Sequence, residues 1–425
     1  MKYDEEFLHC INRIMDDEES GDKYELLMKA AALYPDISRE VLAAYYMHMC
    51  SPDEPYKIFF PEKPTGGQQH VILMSHELTR TGAPVVLADM ARVLVEKGMQ
   101  VIVFSPSEGP LIRLFNDMGC IVIVQPILLR GRYDAADTLD GEDIILPRRL
   151  MERAEFTVFC TLVLHNVVKC FIDTDYKIYW WLHEASVSFR ECRDVLPERL
   201  SDNIHVLAVC EYVEDKFREF DLPGYKGDIL NYMVEDTEQQ KPDKKDDIVR
   251  FVCVGTIDFR KGQDILVDAI KLLPMEYLRR TEFGFVGFKH SPYIVEKVLK
   301  LANAFPNVTC YDEMSREEVF ALYEDIDCIV SPSRDDPMPV VLTENMRLGN
   351  ICICSTATGT ARYIRDGENG FVFESENAEE LAEKIMYIAD HIDMLAELKE
   401  RSRAIYESRF MKERFVENME RLMLS

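Results

Sequence analysis

Positive charge is what this chain has least of. Its 425 residues carry 49 Lys and Arg against 76 Asp and Glu, a formal net charge of -27. A surface of that sign repels nucleic acid and anionic membrane alike. No apolar run reaches the roughly 20 residues that cross a bilayer, and the opening MKYDEEFLHC is acidic, unlike a secretory leader. Zinc-ligand spacings are missing as well. Among twelve cysteines the only close pair is Cys352 and Cys354, separated by one residue. Most of the others lie in apolar runs such as FVCVG and FTVFC, where a thiol packs as a small hydrophobe. These absences describe a reduced, cytoplasmic protein with no metal, no nucleic-acid partner and no transmembrane segment.

What is present is a globular composition, 47% apolar and 29% charged, in a chain too long for one core. Residues 1–60 read as a helical extension, because EEFLHCINRIM, KYELLMKAAAL and REVLAAYYMHM repeat apolar residues at helical spacing. It reads as a bundle packed on the next domain or as a docking surface. A Pro-rich junction, SPDEPYKIFFPEKPTGG, follows. From residue 68 to 234, short apolar runs (HVILMS, QVIVFS, CIVIVQ, FTVFCT, KIYWWL, IHVLAV) alternate with amphipathic segments. That grammar belongs to an α/β, doubly wound, Rossmann-like domain with a parallel sheet buried on both faces. A charged stretch, EDTEQQKPDKKDD, reads as a linker, and the grammar restarts over 248–407. Ligands of such sheets bind at the carboxyl ends of the strands, in a cleft. The terminal SRFMKERFVENMERLML, about 408–425, is amphipathic enough to fold back on the first domain.

Four turns carry candidate chemistry. SHELTRTGAP follows the first strand of the first domain; Gly82 lets backbone approach a ligand at a helix start. One glycine is short of the dinucleotide fingerprint, and His76-Glu77 has no second histidine to make a zinc motif. WWLHEAS places His183 at a strand's carboxyl end. VGTIDFRKGQDILVDAI sets Arg260 and Lys261 at a strand-to-helix turn, a phosphate-binding feature in so acidic a chain. SRDDPMPVVLTENMRLG puts Asp336 ahead of a helix running from Pro339 to Leu348 and stopped by Gly349, with Glu344 inside it. The helix start, around Val340 and Val341, seats an anion, and flanking carboxylates accept hydroxyl hydrogens. Diphosphate and hydroxyls together describe a nucleotide sugar.

With these motifs assembled, the chain over residues 68–425 resembles the retaining GT-B glycosyltransferases of family 4, the glycosyl transferases group 1. The family's E-x7-E is Asp336-x7-Glu344 here. TATGTARYIRDGENGFVF parallels its Gly-rich turn and D-G-x-N-G signature, and ILNYMVED stands at its interdomain Asn-Gly-Val-Asp. The resemblance implies a hexosyltransferase using a UDP- or GDP-linked sugar and no further cofactor, with a glycan or lipid-linked acceptor met by the 68–234 domain and the nucleotide sugar bound by the 248–407 domain. By residue, it implies that Lys261 neutralises the diphosphate and Glu344 binds the ribose. Asp336 holds the donor sugar, amides at Met338, Val340 and Val341 cradle the phosphates, Gly82 closes over them, and His183 contacts the transferred sugar. Thr256 occupies the donor-site position where the family has Arg, with Arg260 as the replacement charge. Arg362 stands where Glu is usual, and Asn231-Tyr232 replaces Asn-Gly. These departures keep a second expectation open, a degenerate GT-B module that binds nucleotide sugar or protein without turnover. A sugar-nucleotide epimerase lacks a convincing set of acid–base groups in the first domain. A membrane-linked acceptor would be met through a local patch on an otherwise repulsive surface.

Overall fold

A computed structural model of the protein describes residues 56–63, 69–132, 139–236, 246–392 and 396–424. Residues 1–55 of the expected helical extension, most of the charged linker and the middle of the LRGRYDAADTLDGED loop lie outside them, and the extension's last residues are not helical, since Lys57–Phe59 form a strand. The chain forms two compact units. One comprises the residues up to His183 with Ser188–Leu207 and Arg218–Asp228; the other comprises Glu184–Val187, Ala208–Phe217 and everything from Ile229 onward, so residues 408–424 group with the second.

The first unit is built on an eight-stranded sheet. In chain order its strands are β1 (Lys57–Phe59), β2 (His70–Ser75), β3 (Gln100–Ser105), β4 (Ile121–Val124), β5 (Thr157–Cys160), β6 (Ile178–Leu182), β7 (Ile204–Ala208) and β8 (Gly227–Ile229). Across the sheet they run β1-β4-β3-β2-β5-β6-β7-β8. Every residue of β2 through β6 is buried, as parallel strands covered on both faces require. The Pro-rich junction is not only a separator: Lys57–Phe59 within it pairs antiparallel with β4 as an edge strand. Its prolines flank those three residues and leave their N–H groups free to pair.

The second unit repeats the plan with β9 (Val249–Val254), β10 (Thr281–Val286), β11 (Val308–Cys310), β12 (Cys328–Ser331), β13 (Ile351–Ser355) and β14 (Phe371–Phe373), in the order β11-β10-β9-β12-β13-β14. All its pairings are parallel. Phe251, Phe283, Phe285, Val330 and Ile353 form its core with Leu266 and Ile270 of the helix Gln263–Leu272. Leaving β1 and β8 aside, both sheets share one strand order, which reverses between β2 and β5 and between β9 and β12. A reversal opens a crevice at the strands' carboxyl ends. The SHELTRTGAP turn follows β2, the Arg260-Lys261 turn follows β9 and the Asp336 turn follows β12, so all three lie at such points.

Gly262 locks the last two turns together. Its φ is 68°, and a Cβ there would stand 2.1 Å from the Pro332 carbonyl oxygen. Gly262→Ala therefore meets both a left-handed backbone and a clash, and should destabilise the second unit by about 2 kcal/mol. Urea unfolding would measure it; an unchanged midpoint would show that the two turns are not held in contact.

Candidate functional site

In the second unit, β9 ends in a loop whose Asp258 carboxylate accepts the Lys261 N–H at 2.8 Å. Gln263 closes the loop by donating to the Thr256 carbonyl at 2.9 Å. Lys261 is thereby aimed at β12's turn, where its ammonium donates to the Asp336 carboxylate. That carboxylate is only 5% exposed. Arg260 donates to the Asp335 carbonyl at 3.0 Å and lies 3.9 Å from Asp336, so its guanidinium does face the site from which Thr256 offers no charge. The Asp336 backbone is fixed from the Gly-rich turn: its N–H donates to Ala357 and its carbonyl accepts from Gly359. Gly359 is obligatory, since a Cβ would lie 1.8 Å from the Pro337 carbonyl oxygen.

The helix after Asp336 spans Val340–Arg347 with Pro339 as its N-cap, and Gly349 follows with φ 68°. Pro339 thus stands one position outside the helix rather than inside its first turn. The first-turn amides of Val340 and Val341 have no intrahelical acceptors, and Met338 is buried just before them. Glu344 is buried on this helix and poorly paired: Tyr323 donates from 3.4 Å and Arg316 from 3.5 Å. Burial raises its carboxyl pKa above the ordinary value despite the neighbouring Arg316 and Arg347. Beneath lies Tyr232, fully buried, its hydroxyl 2.8 Å from that of Thr343. Its phenol is pushed upward by burial and by the charges of Glu344 and Asp336. The bulky replacement of the expected glycine is therefore a brace under the helix.

The first unit carries a different set at the carboxyl ends of β2, β5 and β6. Gly82 opens the helix Gly82–Glu96, with open space where a side chain would be. His183 follows β6, its ring 4.4 Å from that of Trp181. Burial, with His76 nearby, lowers the His183 pKa to about 3. Burial likewise lowers His76 to about 4, although Glu77 stands 3.7 Å away. Glu77 is itself held below its usual value: burial opposes its charge, but the Thr79 and Thr81 hydroxyls donate to it at 2.6 and 2.9 Å. Both imidazoles are neutral at neutral pH. Thr161, at the end of β5, has φ 99° and ψ 153°, a region nearly reserved for glycine and costing a β-branched residue about 1–3 kcal/mol.

Sequence reasoning thus named one group that the second unit brings together, Thr256, Arg260, Lys261, Asp336, Met338, Val340, Val341 and Glu344, and a pair that belongs to the first, Gly82 and His183. It missed Asp335, which accepts the Ser186 and Val187 amides at 3.0 and 3.2 Å and the Tyr212 hydroxyl at 2.9 Å. It also missed Arg334, pinned to Asp264 at 2.8 and 3.0 Å. The run Arg334-Asp335-Asp336 was the available signal. Thr161 gave none. Among the described residues no group of three or more His, Cys, Asp and Glu is arranged to hold a metal, and no helix is long and apolar enough to cross a membrane.

Two family models match the chain, glycosyl transferases group 1 over residues 234–405 and glycosyl-transferase family 4 over residues 67–201, and together they span more than half of it. A glycogen synthase of Thermodesulfovibrio yellowstonii is 29% identical over 142 residues, 33% of this chain and 27% of the relative. An uncharacterized glycosyltransferase of Methanocaldococcus jannaschii is 26% identical over 147 residues, 35% of this chain and 40% of the relative. The matched stretch thus spans less than half the length of these curated relatives. Among solved structures, Anabaena HepE in complex with UDP and glucose superposes with a TM-score of 0.65 at 15% identity, covering 84% of this chain and 99% of that one. Sucrose-phosphate synthase of Thermosynechococcus elongatus gives 0.66 at 16%, covering 84% and 98%. At these identities the likeness is one of fold, and it matches the two doubly wound GT-B sheets described above.

Two pH effects follow. Unfolded histidine binds a proton below about pH 6.5, whereas native His76 and His183 stay neutral down to about 4 and 3. Stability should therefore fall as pH drops from 6.5 towards 4, by up to about 1.4 kcal/mol per pH unit per histidine. The double variant His76→Gln/His183→Gln should flatten that limb in acid denaturation; an unaltered slope would place the imidazoles in solvent. Glu344 runs oppositely: its raised native pKa makes it costlier as pH rises above 4.5. Glu344→Gln should raise Tm at pH 7, with the gain shrinking towards pH 4.5, and no gain at any pH would mean that the carboxylate is solvated.

Proposed function

The chain belongs to the GT-B glycosyltransferases, and from that premise we propose that it moves a hexosyl group from a UDP- or GDP-linked donor to a glycan or lipid-linked acceptor, retaining anomeric configuration. The observation that carries this reading is the convergence of Lys261, Asp336 and the start of the helix Val340–Arg347 at the reversal point of the second sheet. Lys261, Arg260 and the first-turn amides meet the diphosphate, Glu344 accepts the ribose hydroxyls, and Asp336 accepts hydroxyls of the sugar. In the first unit, Gly82 offers close backbone approach and the neutral His183 hydrogen-bonds a sugar hydroxyl.

In the reaction the anomeric C–O bond to phosphate breaks, and its electron pair leaves with the diphosphate. The acceptor oxygen forms the new bond and gives up its proton to a phosphate oxygen. Positive charge grows on the ring while negative charge grows on the leaving group. Fixed cations and helix amides stabilise the latter without reorganising, which is the main electrostatic contribution expected of this site. The Lys261–Asp336 contact makes Asp336 a competitor for the cation that the donor needs. That observation also supports the second reading, a binding module without turnover.

Incubation with a panel of nucleotide sugars, with and without glycan extracts, separates the two by nucleotide release. Lys261→Ala should cut release about 100-fold or more and weaken UDP or GDP binding. Asp336→Ala should also cut release, yet leave nucleotide binding equal or tighter, since the competing carboxylate is gone. Nucleotide binding without release from any donor would select the binding module; undiminished release in Lys261→Ala would refute the site. The anomeric signal of the product in NMR tests retention.

A further inference from the structure

Both tryptophans of the chain stand in β6, and both act at its carboxyl end. Trp180 donates its indole N–H to the Thr161 carbonyl at 2.8 Å, and the Trp181 ring lies 4.4 Å from that of His183. Thr161 follows β5 directly, and its own N–H donates to the Trp181 carbonyl at 2.8 Å. These bonds over-determine a backbone that threonine rarely adopts, φ 99° and ψ 153°. Strain of this kind clusters at binding and catalytic sites, so the side chain it presents is the place to look. Thr161 is only 3% exposed, and its hydroxyl has no hydrogen-bond partner among the described residues. The strand register sets its neighbours. Ser75 is level with Cys160 and Cys160 with Trp181, so His76, Thr161 and Leu182 stand side by side at the ends of β2, β5 and β6, on strands about 5 Å apart. His183 is the next residue along. The Nδ1 of His76 is buried and likewise has no partner among the described residues. Both imidazoles are kept neutral by burial, and the two charges acting on His76, those of Glu77 and Arg132, are opposite in sign. Three adjacent strand ends therefore bring together a hydroxyl and two neutral imidazoles.

We propose that the Thr161 hydroxyl binds a ring hydroxyl of a neutral sugar, between His76 and His183, and that the strained backbone is retained because it presents that group. The proposal rests on the glycosyl-transfer reading for calling the ligand a sugar, and it adds Thr161 and His76 to the contact that reading gives to His183. A threonine hydroxyl donates one hydrogen bond and accepts others, and a neutral imidazole donates from one nitrogen and accepts at the other. A sugar hydroxyl does both as well, so it matches all three groups in either direction. A phosphate or carboxylate only accepts, and it would carry its charge into buried surroundings that hold no spare cation of their own strand ends. Thr161 bears two penalties at once, a left-handed backbone on a β-branched residue and a buried hydroxyl left unbonded. Glycine would remove both and valine the second. A residue that keeps both where single changes would relieve them is explained by a ligand that bonds the hydroxyl.

The test uses the full chain and the variants Thr161→Val, Thr161→Gly and Thr161→Ser, with ligand-observed NMR, calorimetry and thermal unfolding. Methyl glucoside, methyl galactoside and methyl mannoside probe an accepting sugar; UDP-glucose against UDP, and GDP-mannose against GDP, probe the transferred one. The parent should bind at least one methyl glycoside, or one nucleotide sugar more tightly than its nucleotide. Thr161→Val and Thr161→Gly should weaken that sugar-dependent binding about tenfold or more, with a Tm equal to or above the parent's. Thr161→Ser, which keeps the hydroxyl, should hold it within about threefold. A loss confined to the methyl glycosides assigns the contact to the accepting sugar, and one confined to the nucleotide sugars assigns it to the transferred sugar. Undiminished sugar binding in Thr161→Val, or no sugar-dependent binding by the parent, overturns the proposal. A Tm lowered in both Thr161→Val and Thr161→Gly overturns it too and makes the residue a structural one. Methyl glucuronide bound more tightly than methyl glucoside refutes the neutral ligand. A parent that binds neither UDP nor GDP overturns the donor reading instead, and the methyl glycosides then judge Thr161 by themselves.

Discussion

A carboxylate as buried as Asp336 is not tolerated without a cation, and much of the second unit is arranged to supply one. Lys261 reaches it only if the loop after β9 closes on the turn after β12. That closure requires the left-handed Gly262 against Pro332, the Asp258 cap on the Lys261 amide, and Asp336 backbone bonds into the Gly-rich turn. The same closure positions Arg260 and Phe259 on one side and the helix Val340–Arg347 on the other. Removing the ion pair would therefore disturb more than one contact. Under the proposed function it is also the feature that a diphosphate must compete with, so donor entry and loop geometry become one problem.

The departures from the family pattern gain a physical meaning in this arrangement. Thr256 carries no charge, and Arg260, four residues on, lies 3.9 Å from Asp336. Tyr232 has replaced a glycine, and its buried ring fills the space under Thr343 and Glu344. Asp336 is one methylene shorter than Glu, and with Lys261 drawn up to it the shorter reach is met by the cation instead of by the carboxylate. Arg362, the remaining departure, pairs with Asp215 at 2.7 Å.

Local chemistry was legible in the sequence; long-range pairing was not. The strands of both sheets stood out because buried parallel strands are continuous apolar runs. Gly349 marked the end of the helix after Asp336. The edge strand Lys57–Phe59 escaped notice because three residues between prolines carry no periodicity, and only pairing with β4 makes them a strand. Arg334 and Asp335 looked like two more charges in a charged turn. Their roles come from Asp264, Glu376, Ser186 and Tyr212, all distant in sequence. The strained backbone of Thr161 is invisible to any pattern rule, since nothing about a threonine after FTVFC predicts a positive φ.

Two sheets with one strand order carry different groups at the carboxyl ends of their strands. After β9 and β12 the turns present Arg260, Lys261 and helix amides; after β2 and β6 they present His76 and His183, both kept neutral by burial. A shared topology therefore does not imply shared ligands. A developing diphosphate charge belongs with fixed cations, whereas an oxocarbenium-like sugar gains nothing from an imidazolium beside it. Burial keeps both histidines neutral over the whole physiological pH range. In the second unit the charges available to meet the diphosphate are Arg260 and Lys261, both set by the loop after β9.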